Sequence, residues 1–336
     1  MLKHEVRGQA MGEFNGPIFI VGMPRSGTKL LRGILNNHPD VAFSSSETEI
    51  LPFWAKHWPE YGDLRDFENF QIFYNSAIKS SYFHYIEKSH GKIISAKKWH
   101  EACGDWTVAG VFESLVRLDT GCTTQMIWGD KSPSYIRHIP LLMELFPGGK
   151  FIYIVRDVRD YCLSINKAWG KNMIRAAQRW ADDVGNAKAS LACCPNRAIE
   201  VRFEDLLDNP KKELQAVCDF IGISFGEDML FFENTTEKIG GAQGATEVVE
   251  GNKGKWQAEL SAAKVRKIEK VCMETLHAYK YSTTYEGPVD RIHPLMMEAL
   301  KVLDGVNLLF HDNEKRGLFK NILFYLRYSK HSGSSC

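Results

Sequence analysis

The chain has 336 residues, of which 44% are hydrophobic and 25% charged, which is enough to bury one sizeable core. Its 42 Lys and Arg residues balance 41 Asp and Glu residues, which argues against a bulk nucleic-acid binder and confines any cationic site to a local cluster. The 8 cysteines form no C-x-x-C pair, which argues against a zinc site and against a disulfide scaffold.

The first segment with a chemical signature is Pro17–Leu31, which reads PIFIVGMPRSGTKLL. Its apolar run Ile18–Val21 predicts a buried strand, and an amphipathic segment begins near Gly27. Gly22 and Gly27 keep the G-x-x-x-x-G spacing of a phosphate-binding loop, where amides and a helix N-terminus converge on an anion. A Thr-Lys step follows, so a lysine stands where nucleoside-triphosphate loops hold magnesium. The loop predicts a site for an anionic nucleotide without a metal; the alternative is an ordinary strand–helix turn.

The next long segment, Glu49–Val116, is rich in Trp, Tyr, Phe and His and has weak periodicity. It predicts helices and loops that cover the side of the site where a second substrate would bind, with most of the rings packed in the core. A strand predicted at Thr124–Trp128 leads to Lys131, which would lie at a strand end, where parallel sheets place their ligands. The alternative for Lys131 is a solvated loop lysine.

A second buried strand is predicted at Phe151–Val155, directly before Arg156, and Ser164 follows eight residues after that arginine. An arginine at a strand end and a serine two helical turns later can hold one phosphate from two sides. The alternative for Arg156 is a surface salt bridge. Arg159 and Asp160 are predicted to form an ion pair at the start of the helix.

One more strand is predicted at Ala198–Phe203, and helices are predicted at Pro140–Phe146 and Pro210–Ile221. This alternation predicts an α/β, P-loop-type three-layer fold with a mostly parallel central sheet and helices on both faces. We expect a single domain over residues 1–336, with a core at about 16–285 and a C-terminal helical extension at 286–330.

The C-terminal stretch 316–330 places five apolar side chains on one helical face, between basic residues. These are Leu318, Phe319, Ile322, Leu323 and Leu326. The stretch is either a last helix docked on the core or a basic amphipathic helix on a membrane or partner surface. Residues 1–10 have no apolar stretch of signal-peptide length, and no segment approaches the roughly 18 apolar residues of a membrane span. We therefore expect a cytoplasmic protein, with membrane association through 316–330 as the alternative.

The phosphate-binding loop and its flanks resemble the sulfotransferases that use 3′-phosphoadenylyl sulfate (PAPS). The resemblance is greatest to the microbial family with a P-R-S-G-T loop and to the tyrosylprotein sulfotransferases, and it spans about residues 16–260. The loop continues into LLRGILNNHPD at Leu30–Asp40 and SETEILP at Ser46–Pro52. The resemblance implies that residues of the loop and helix start bind the 5′-phosphosulfate. These are Arg25, Ser26, Gly27, Thr28, Lys29 and Leu30.

The same resemblance implies a 3′-phosphate site, because the segment from Arg156 to Ser164 matches the family pattern R-(N/D)-x-(K/R)-D-x-x-x-S. The later segment Gly251–Trp256 resembles a flexible loop that closes over the 3′-phosphate and the adenine. Its candidate ligands are Lys253, Gly254 and Lys255, without a choice between the two lysines. Phe203 replaces a tyrosine of the family, which removes a hydroxyl that can touch the nucleotide.

Three residues are implied as catalytic. Glu47 matches the glutamate of the tyrosylprotein enzymes and would remove the proton of the acceptor. Lys131 matches a lysine that faces the transferred sulfuryl group, and Arg25 would stabilise charge inside the loop. The alternatives for the base are Glu49 and four histidines. The histidines are His38, His84, His90 and His100, of which His38 is explained by a turn at a helix end.

The resulting prediction is a sulfotransferase that moves the sulfuryl group of PAPS to a hydroxyl or amine of a small-molecule, carbohydrate or lipid acceptor. It would release 3′,5′-adenosine bisphosphate (PAP), need no metal and bind no nucleic acid. One alternative is a P-loop small-molecule kinase, which would need a Lys-Ser or Lys-Thr step after Gly27. The other is a nucleotide-binding scaffold without turnover. The oligomeric state is not predicted.

Overall fold

The protein is described by a computed structural model that covers residues 14–44, 46–231, 244, 246–249, 251–310 and 317–328. Its centre is a five-stranded sheet with the order β2-β3-β1-β4-β5, in which all pairings are parallel. The strands are β1 Ile18–Gly22, β2 Val41–Phe43, β3 Ile127–Lys131, β4 Lys150–Val155 and β5 Ala198–Arg202. The predicted α/β fold with a mostly parallel sheet is confirmed.

The described residues form fifteen α-helices around this sheet. They are α1 Thr28–Asn36, α2 Leu51–His57, α3 Phe67–Ala77, α4 Ser81–His90, α5 Ala96–Ala102, α6 Val108–Thr120, α7 Ile139–Leu145, α8 Val158–Trp169, α9 Met173–Ala192, α10 Phe203–Asp208, α11 Pro210–Ile221, α12 Trp256–Glu259, α13 Ala262–Ala278, α14 Pro294–Phe310 and α15 Leu318–Tyr328. Helix α7 was predicted one residue late, whereas α11 has the predicted bounds.

The side chains of β1 alternate between two hydrophobic cores, one on each face of the sheet. Phe19 and Val21 belong to a large cluster on one face of the sheet, while Ile18 and Ile20 belong to a smaller cluster on the other face. Because neighbouring side chains of a strand point to opposite faces, this alternation defines three layers. The aromatic segment Glu49–Val116 forms α2–α6 with their connecting loops, and nine of its aromatic side chains are buried in the large cluster.

Strand β3 differs from its sequence prediction. It begins three residues later than the predicted strand Thr124–Trp128 and ends in Asp130 and Lys131, both of which are buried. The three-residue strand β2 was not predicted at all. Both differences arise where an uninterrupted apolar run, the signal for a buried parallel strand, is missing or too short.

The chain after β5 packs back on the core through α13, which contacts α8 and α9. No helix among the described residues is long and apolar enough to cross a membrane. Some sequence-based statements concern residues outside the described part: those on residues 1–10, on residues 316, 329 and 330, and on the side chains of Leu318 and Leu326.

Candidate functional site

The candidate site lies at the edge of the sheet where all five parallel strands end. The phosphate-binding loop follows β1, the segment that carries Glu47 follows β2, and Lys131 ends β3. Arg156 follows β4, and Phe203 follows β5. Ligands of open α/β sheets bind at this carboxyl edge, so the topology collects the predicted site residues from five separate parts of the chain.

The phosphate-binding loop depends on a glycine at its end. Gly27 has a left-handed backbone with φ of 95°, and a Cβ atom there would lie 2.4 Å from the Phe203 ring. Helix α1 begins at Thr28, so the first helical N–H groups face the loop. The Ser26 hydroxyl is buried and has no hydrogen-bond partner among the described residues. An orphaned buried hydroxyl beside a helix N-terminus fits a loop that binds an anion.

The two predicted halves of the donor site are in direct contact. Arg25 donates a hydrogen bond from Nε to the Ser164 hydroxyl at 3.3 Å. Arg156 donates from Nη1 to the Arg25 carbonyl oxygen at 2.9 Å. The Arg156 guanidinium also stacks on the Phe203 ring at 4.5 Å. Phe203 therefore supports both Gly27 and Arg156, a role that the sequence analysis missed.

The late loop docks on the same arginine. Arg156 donates from Nη2 to the Asn252 carbonyl oxygen at 2.9 Å. The Asp160 carboxylate accepts the backbone N–H of Gly254 at 2.6 Å and that of Trp256 at 3.0 Å. Burial raises the pKa of Asp160, and Arg156 and these two N–H groups partly offset the increase. Asp160 thus anchors the loop.

The predicted ion pair between Arg159 and Asp160 is wrong. Arg159 binds both carboxylate oxygens of Asp157 and donates to Glu269 at 2.8 Å, and its guanidinium stacks on Trp256 at 3.9 Å. Glu269 lies 110 residues from Arg159 in the chain, so no local pattern reveals this contact.

The two candidate lysines of the late loop differ in their partners. Lys253 contacts the Asp208 carboxylate, whereas Lys255 donates to the Asn252 side-chain oxygen at 2.9 Å. Because the Asn252 carbonyl oxygen binds Arg156, Lys255 is connected to the donor site through Asn252, whereas Lys253 contacts Asp208 instead. Leu30 is half-buried and packs its side chain against the smaller core cluster.

Glu47 and Lys131 form a contact at the centre of the site. The Lys131 amino group touches the Glu47 carboxylate, and the Lys131 side chain is fully buried while that of Glu47 is 36% exposed. Burial raises the pKa of Glu47, but the charge of Lys131, helped by Lys29 and Arg32, outweighs it and lowers the pKa. Glu47 is therefore ionised at neutral pH.

The backbone after Glu47 is held by hydroxyl groups. Thr48 donates its N–H to the Ser132 hydroxyl at 2.9 Å, and its own hydroxyl lies 2.9 Å from that of Tyr135. Leu51 donates its N–H to the same Tyr135 hydroxyl at 3.1 Å. These bonds fix the position of Glu47 against the end of β3. Beside them, burial raises the pKa of Asp130 to about 6, and the Ser132 and Thr48 hydroxyls limit the increase.

A cavity of about 330 Å³ opens between the phosphate-binding loop and the residues that follow β3 and α8; of the aromatic segment Glu49–Val116, Glu49 is the one lining residue. Its lining combines cationic, acidic and apolar side chains. They include Arg25, Thr28, Lys29, Glu47, Glu49, Arg137, Trp169, Lys171, Arg179 and Leu308. None of the four histidines considered as bases is among its lining residues. His38 instead accepts the N–H of Asp40 at 3.1 Å in a turn, so Glu47 and Glu49 are the candidates that face the cavity.

Comparisons with known proteins agree with this geometry. A sequence profile described as "Sulfotransferase family" matches residues 17–227. Protein-tyrosine sulfotransferase 2 of Gallus gallus is 26% identical over 240 residues, covering 67% of this chain and 56% of that protein. Protein-tyrosine sulfotransferase 1 of Danio rerio is 23% identical over 241 residues, covering 67% and 58% respectively. The chain thus spans little more than half the length of these two relatives.

Among solved structures, the sulfotransferase domain of the Synechococcus PCC 7002 olefin synthase has a TM-score of 0.54. It is 24% identical, and the similarity covers 82% of this chain and 98% of that domain. This likeness supports the fold. The family profile matches more than half of the chain and confirms the predicted resemblance to the sulfotransferases. The chain belongs to the sulfotransferase family.

Proposed function

We propose that the protein transfers the sulfuryl group of PAPS to a hydroxyl or amine of a small-molecule, carbohydrate or lipid acceptor and releases PAP. The observation that carries this proposal is the meeting of the phosphate-binding loop and Glu47 at one cavity, beside Arg156. Two relatives are named as protein-tyrosine sulfotransferases, so a phenolic hydroxyl of a peptide belongs among the acceptors to be tested.

The residues present fit PAPS, because one buried polar atom of the loop and one of the neighbouring strand end have no hydrogen-bond partner among the described residues. These atoms are the Ser26 hydroxyl and Nε of Arg156. The 5′-phosphosulfate would be held by the loop from Arg25 to Lys29, and the 3′-phosphate by Arg156 and Ser164, with Lys255 nearby. Bound PAPS supplies a sulfuryl group activated by its bond to a phosphate.

Glu47 acts as the general base in this proposal. Its carboxylate accepts the proton of the acceptor O–H or N–H while the acceptor oxygen or nitrogen bonds to sulfur. The bond between sulfur and the phosphate oxygen breaks, and Lys29 and Arg25 stabilise the charge left on that phosphate. Lys131 keeps Glu47 ionised and in place, and a carboxylate that loses this contact becomes more basic.

Isothermal titration with PAP, and separately with ATP–magnesium, tests the donor site. We expect tight binding of PAP, weak binding of ATP, and an affinity for PAP at least about tenfold lower in Arg156→Ala, since a charge-assisted hydrogen bond is lost. Arg197→Ala is the matched control, because Arg197 binds the Gly149 and Phe146 carbonyls just before β5 begins, at the opposite edge of the sheet. A preference for ATP, or no effect of Arg156→Ala, would refute the donor site.

Transfer is tested separately with radiolabelled PAPS and a panel of acceptors. The panel contains tyrosine peptides, phenols, carbohydrates and glycolipids. Labelled product identifies the acceptor class, whereas PAP binding without transfer to any acceptor supports the scaffold alternative. Cytoplasmic localisation, the single-domain boundaries and independence of metal stay predictions.

A further inference from the structure

Helix α14 exposes a broad apolar face. The side chains of Leu295, Val302, Val306 and Phe310 are 76%, 66%, 46% and 68% exposed. Their spacing places them on one side of the helix, and Met296 and Leu303 widen this side. Single exposed apolar residues are normal on protein surfaces, but a contiguous apolar face marks an interaction site.

The opposite side of α14 is held against the start of α9 by polar contacts. Asp304 is buried and accepts a hydrogen bond from Arg175 at 2.8 Å and from the Asn172 backbone at 2.7 Å. Leu308, on the same side, is buried and lines the cavity of the candidate site. The orientation of α14 is therefore set by its packed side, and its apolar face points outward.

Helix α15 extends this surface. Asn321 donates to the Leu309 carbonyl oxygen at 3.1 Å and joins α15 to α14. Phe324 packs against His84, with ring centres 5.5 Å apart, so α15 also rests on α4. Phe319 and Leu323 of α15 are exposed, as is the adjacent Lys320. We call the exposed apolar residues of α14 and α15 the apolar surface; together they are eight of the eleven large apolar side chains that are exposed in the described part.

The charge of this region is opposite in sign to that of the rest of the chain. The described residues 291–310 and 317–328 contain four Lys and Arg against two Asp and Glu, a net charge of +2. Because the whole chain has a net charge of +1, the remainder is negative. An apolar helix face within a basic segment that also contains Phe and Tyr is the pattern of helices that lie at a lipid–water interface.

We propose that the apolar surface of α14 and α15 docks on an anionic lipid bilayer. The apolar side chains enter the boundary of headgroups and acyl chains, and the basic residues bind lipid phosphates. A second copy of the chain is a poorer occupant, because the two segments would carry the same net positive charge. Leu308 and the apolar surface lie on opposite sides of one helix, so the bilayer would be about 10 Å from the cavity. If the proposed function holds, membrane lipids are acceptors within reach.

The test is sedimentation of the full chain with vesicles of phosphatidylcholine and phosphatidylserine at 7:3, beside vesicles of phosphatidylcholine alone. We expect binding to the anionic vesicles that weakens with salt. The double variant Leu303→Asp/Val306→Asp should lose about tenfold or more of this binding. Ile72→Asp is the matched control, because Ile72 is 60% exposed on α3, outside the apolar surface. Circular dichroism verifies that each variant folds, and Phe319→Asp repeats the test on α15.

Loss of vesicle binding in the α14 and α15 variants, with Ile72→Asp unaffected, supports the proposal. Absence of binding by the wild type, or equal binding by all variants, overturns it. Light scattering after size exclusion measures self-association: a dimer abolished by the α14 substitutions, without vesicle binding, would assign the surface to a second copy instead. PAP titration on the same samples keeps this result separate from the donor-site test.

Discussion

Glu47 and Glu49 both face the cavity, and Glu47 contacts the buried amino group of Lys131. Replacing the carboxylate with an amide removes the proton acceptor and keeps the shape of the side chain. We expect Glu47→Gln to lower the transfer rate by about 100- to 10,000-fold while PAP binding is retained. Initial rates with labelled PAPS and titration with PAP measure the two quantities.

Glu49→Gln is the matched control for this prediction. It alters a carboxylate of the same cavity and should leave most of the transfer rate intact. If Glu49→Gln abolishes transfer and Glu47→Gln does not, Glu49 is the base and the contact of Glu47 with Lys131 is structural.

Asp130 gives the protein a predictable dependence of stability on pH. Its pKa rises from the ordinary value of 3.8 to about 6 in the folded state, because burial disfavours the charged form. Between these pH values the folded protein holds a proton that the unfolded chain has released, so stability falls as pH rises through this window. Asp130→Asn removes this loss and should raise the free energy of unfolding at pH 7.5 by up to about 3 kcal/mol.

Urea unfolding at pH 4.5 and pH 7.5 measures this effect. The gain from Asp130→Asn should be larger at pH 7.5 than at pH 4.5. Asp40→Asn, at an exposed position, serves as the control and should change stability by less than about 0.5 kcal/mol. An equal effect of Asp130→Asn at both pH values would contradict the raised pKa.

At the scale of elements, the junction of β1 and α1 depends on Gly27. An alanine there would adopt a left-handed backbone and place its Cβ atom 2.4 Å from the Phe203 ring. We expect Gly27→Ala to displace Phe203 and the Arg156 stacked on it, and so to weaken PAP binding strongly. Strain of this kind also costs stability, on the order of 1–3 kcal/mol. Thermal unfolding and PAP titration measure both effects.

Gly185→Ala is the control for this substitution. Gly185 lies inside α9, and a Cβ atom there would meet no atom within 4 Å among the described residues. Alanine favours a helix by up to about 1 kcal/mol over glycine, so this variant should be slightly more stable and bind PAP normally. Normal PAP binding by Gly27→Ala would show that the close approach of Phe203 is dispensable.

The elements also show why part of the fold was predictable. Strands β1, β4 and β5 were predicted to within one residue, because each is a largely apolar run next to turn or helix signals. Helix α11 was predicted from its initial proline and the glycine that follows it. Strand β3 was misplaced because it ends in the buried pair Asp130 and Lys131, which a solvated loop would also explain. Their burial depends on Glu47 and Thr48, which come from a distant part of the chain.

The same reasoning separates the predicted and the missed parts of the site. Arg25, Arg156 and Ser164 lie within short motifs whose spacing already indicates phosphate binding, and the structure brings them together. The support of Arg156 by Phe203 and the anchoring of the late loop by Asp160 depend on contacts across the fold. Of these contacts, the one at Gly27 leaves a trace in the sequence, because a glycine at that position leaves room for a large neighbouring side chain.

At the scale of the whole molecule, a buried ion network connects the chain beyond the family match to the core. Glu269 of α13 accepts from Arg159 at 2.8 Å and from the Thr284 and Tyr285 backbones at 2.9 Å and 3.0 Å. Without Glu269, Arg159 keeps its ion pair with Asp157 but loses its second buried carboxylate, and the N–H groups of Thr284 and Tyr285 lose their acceptor. Glu269→Ala should lower the free energy of unfolding by about 3–5 kcal/mol, which the urea midpoint measures.

Glu227→Ala provides the comparison, because Glu227 pairs with Lys211 at the surface, where both side chains are more than 60% exposed. Solvent screens such pairs, so this change should stay within about 1 kcal/mol. Similar destabilisation by the two variants would mean that the network does not tie α13 to the core.

Arg156 connects the phosphate-binding loop to the late loop. Its two terminal nitrogens bind the carbonyl oxygens of Arg25 in the phosphate-binding loop and of Asn252 in the late loop. Because one guanidinium holds both loops, a displacement of Arg156 would remove a contact from each. We expect opening of the late loop and release of a bound nucleotide to be coupled through this side chain, so that slow loop opening would slow nucleotide exchange.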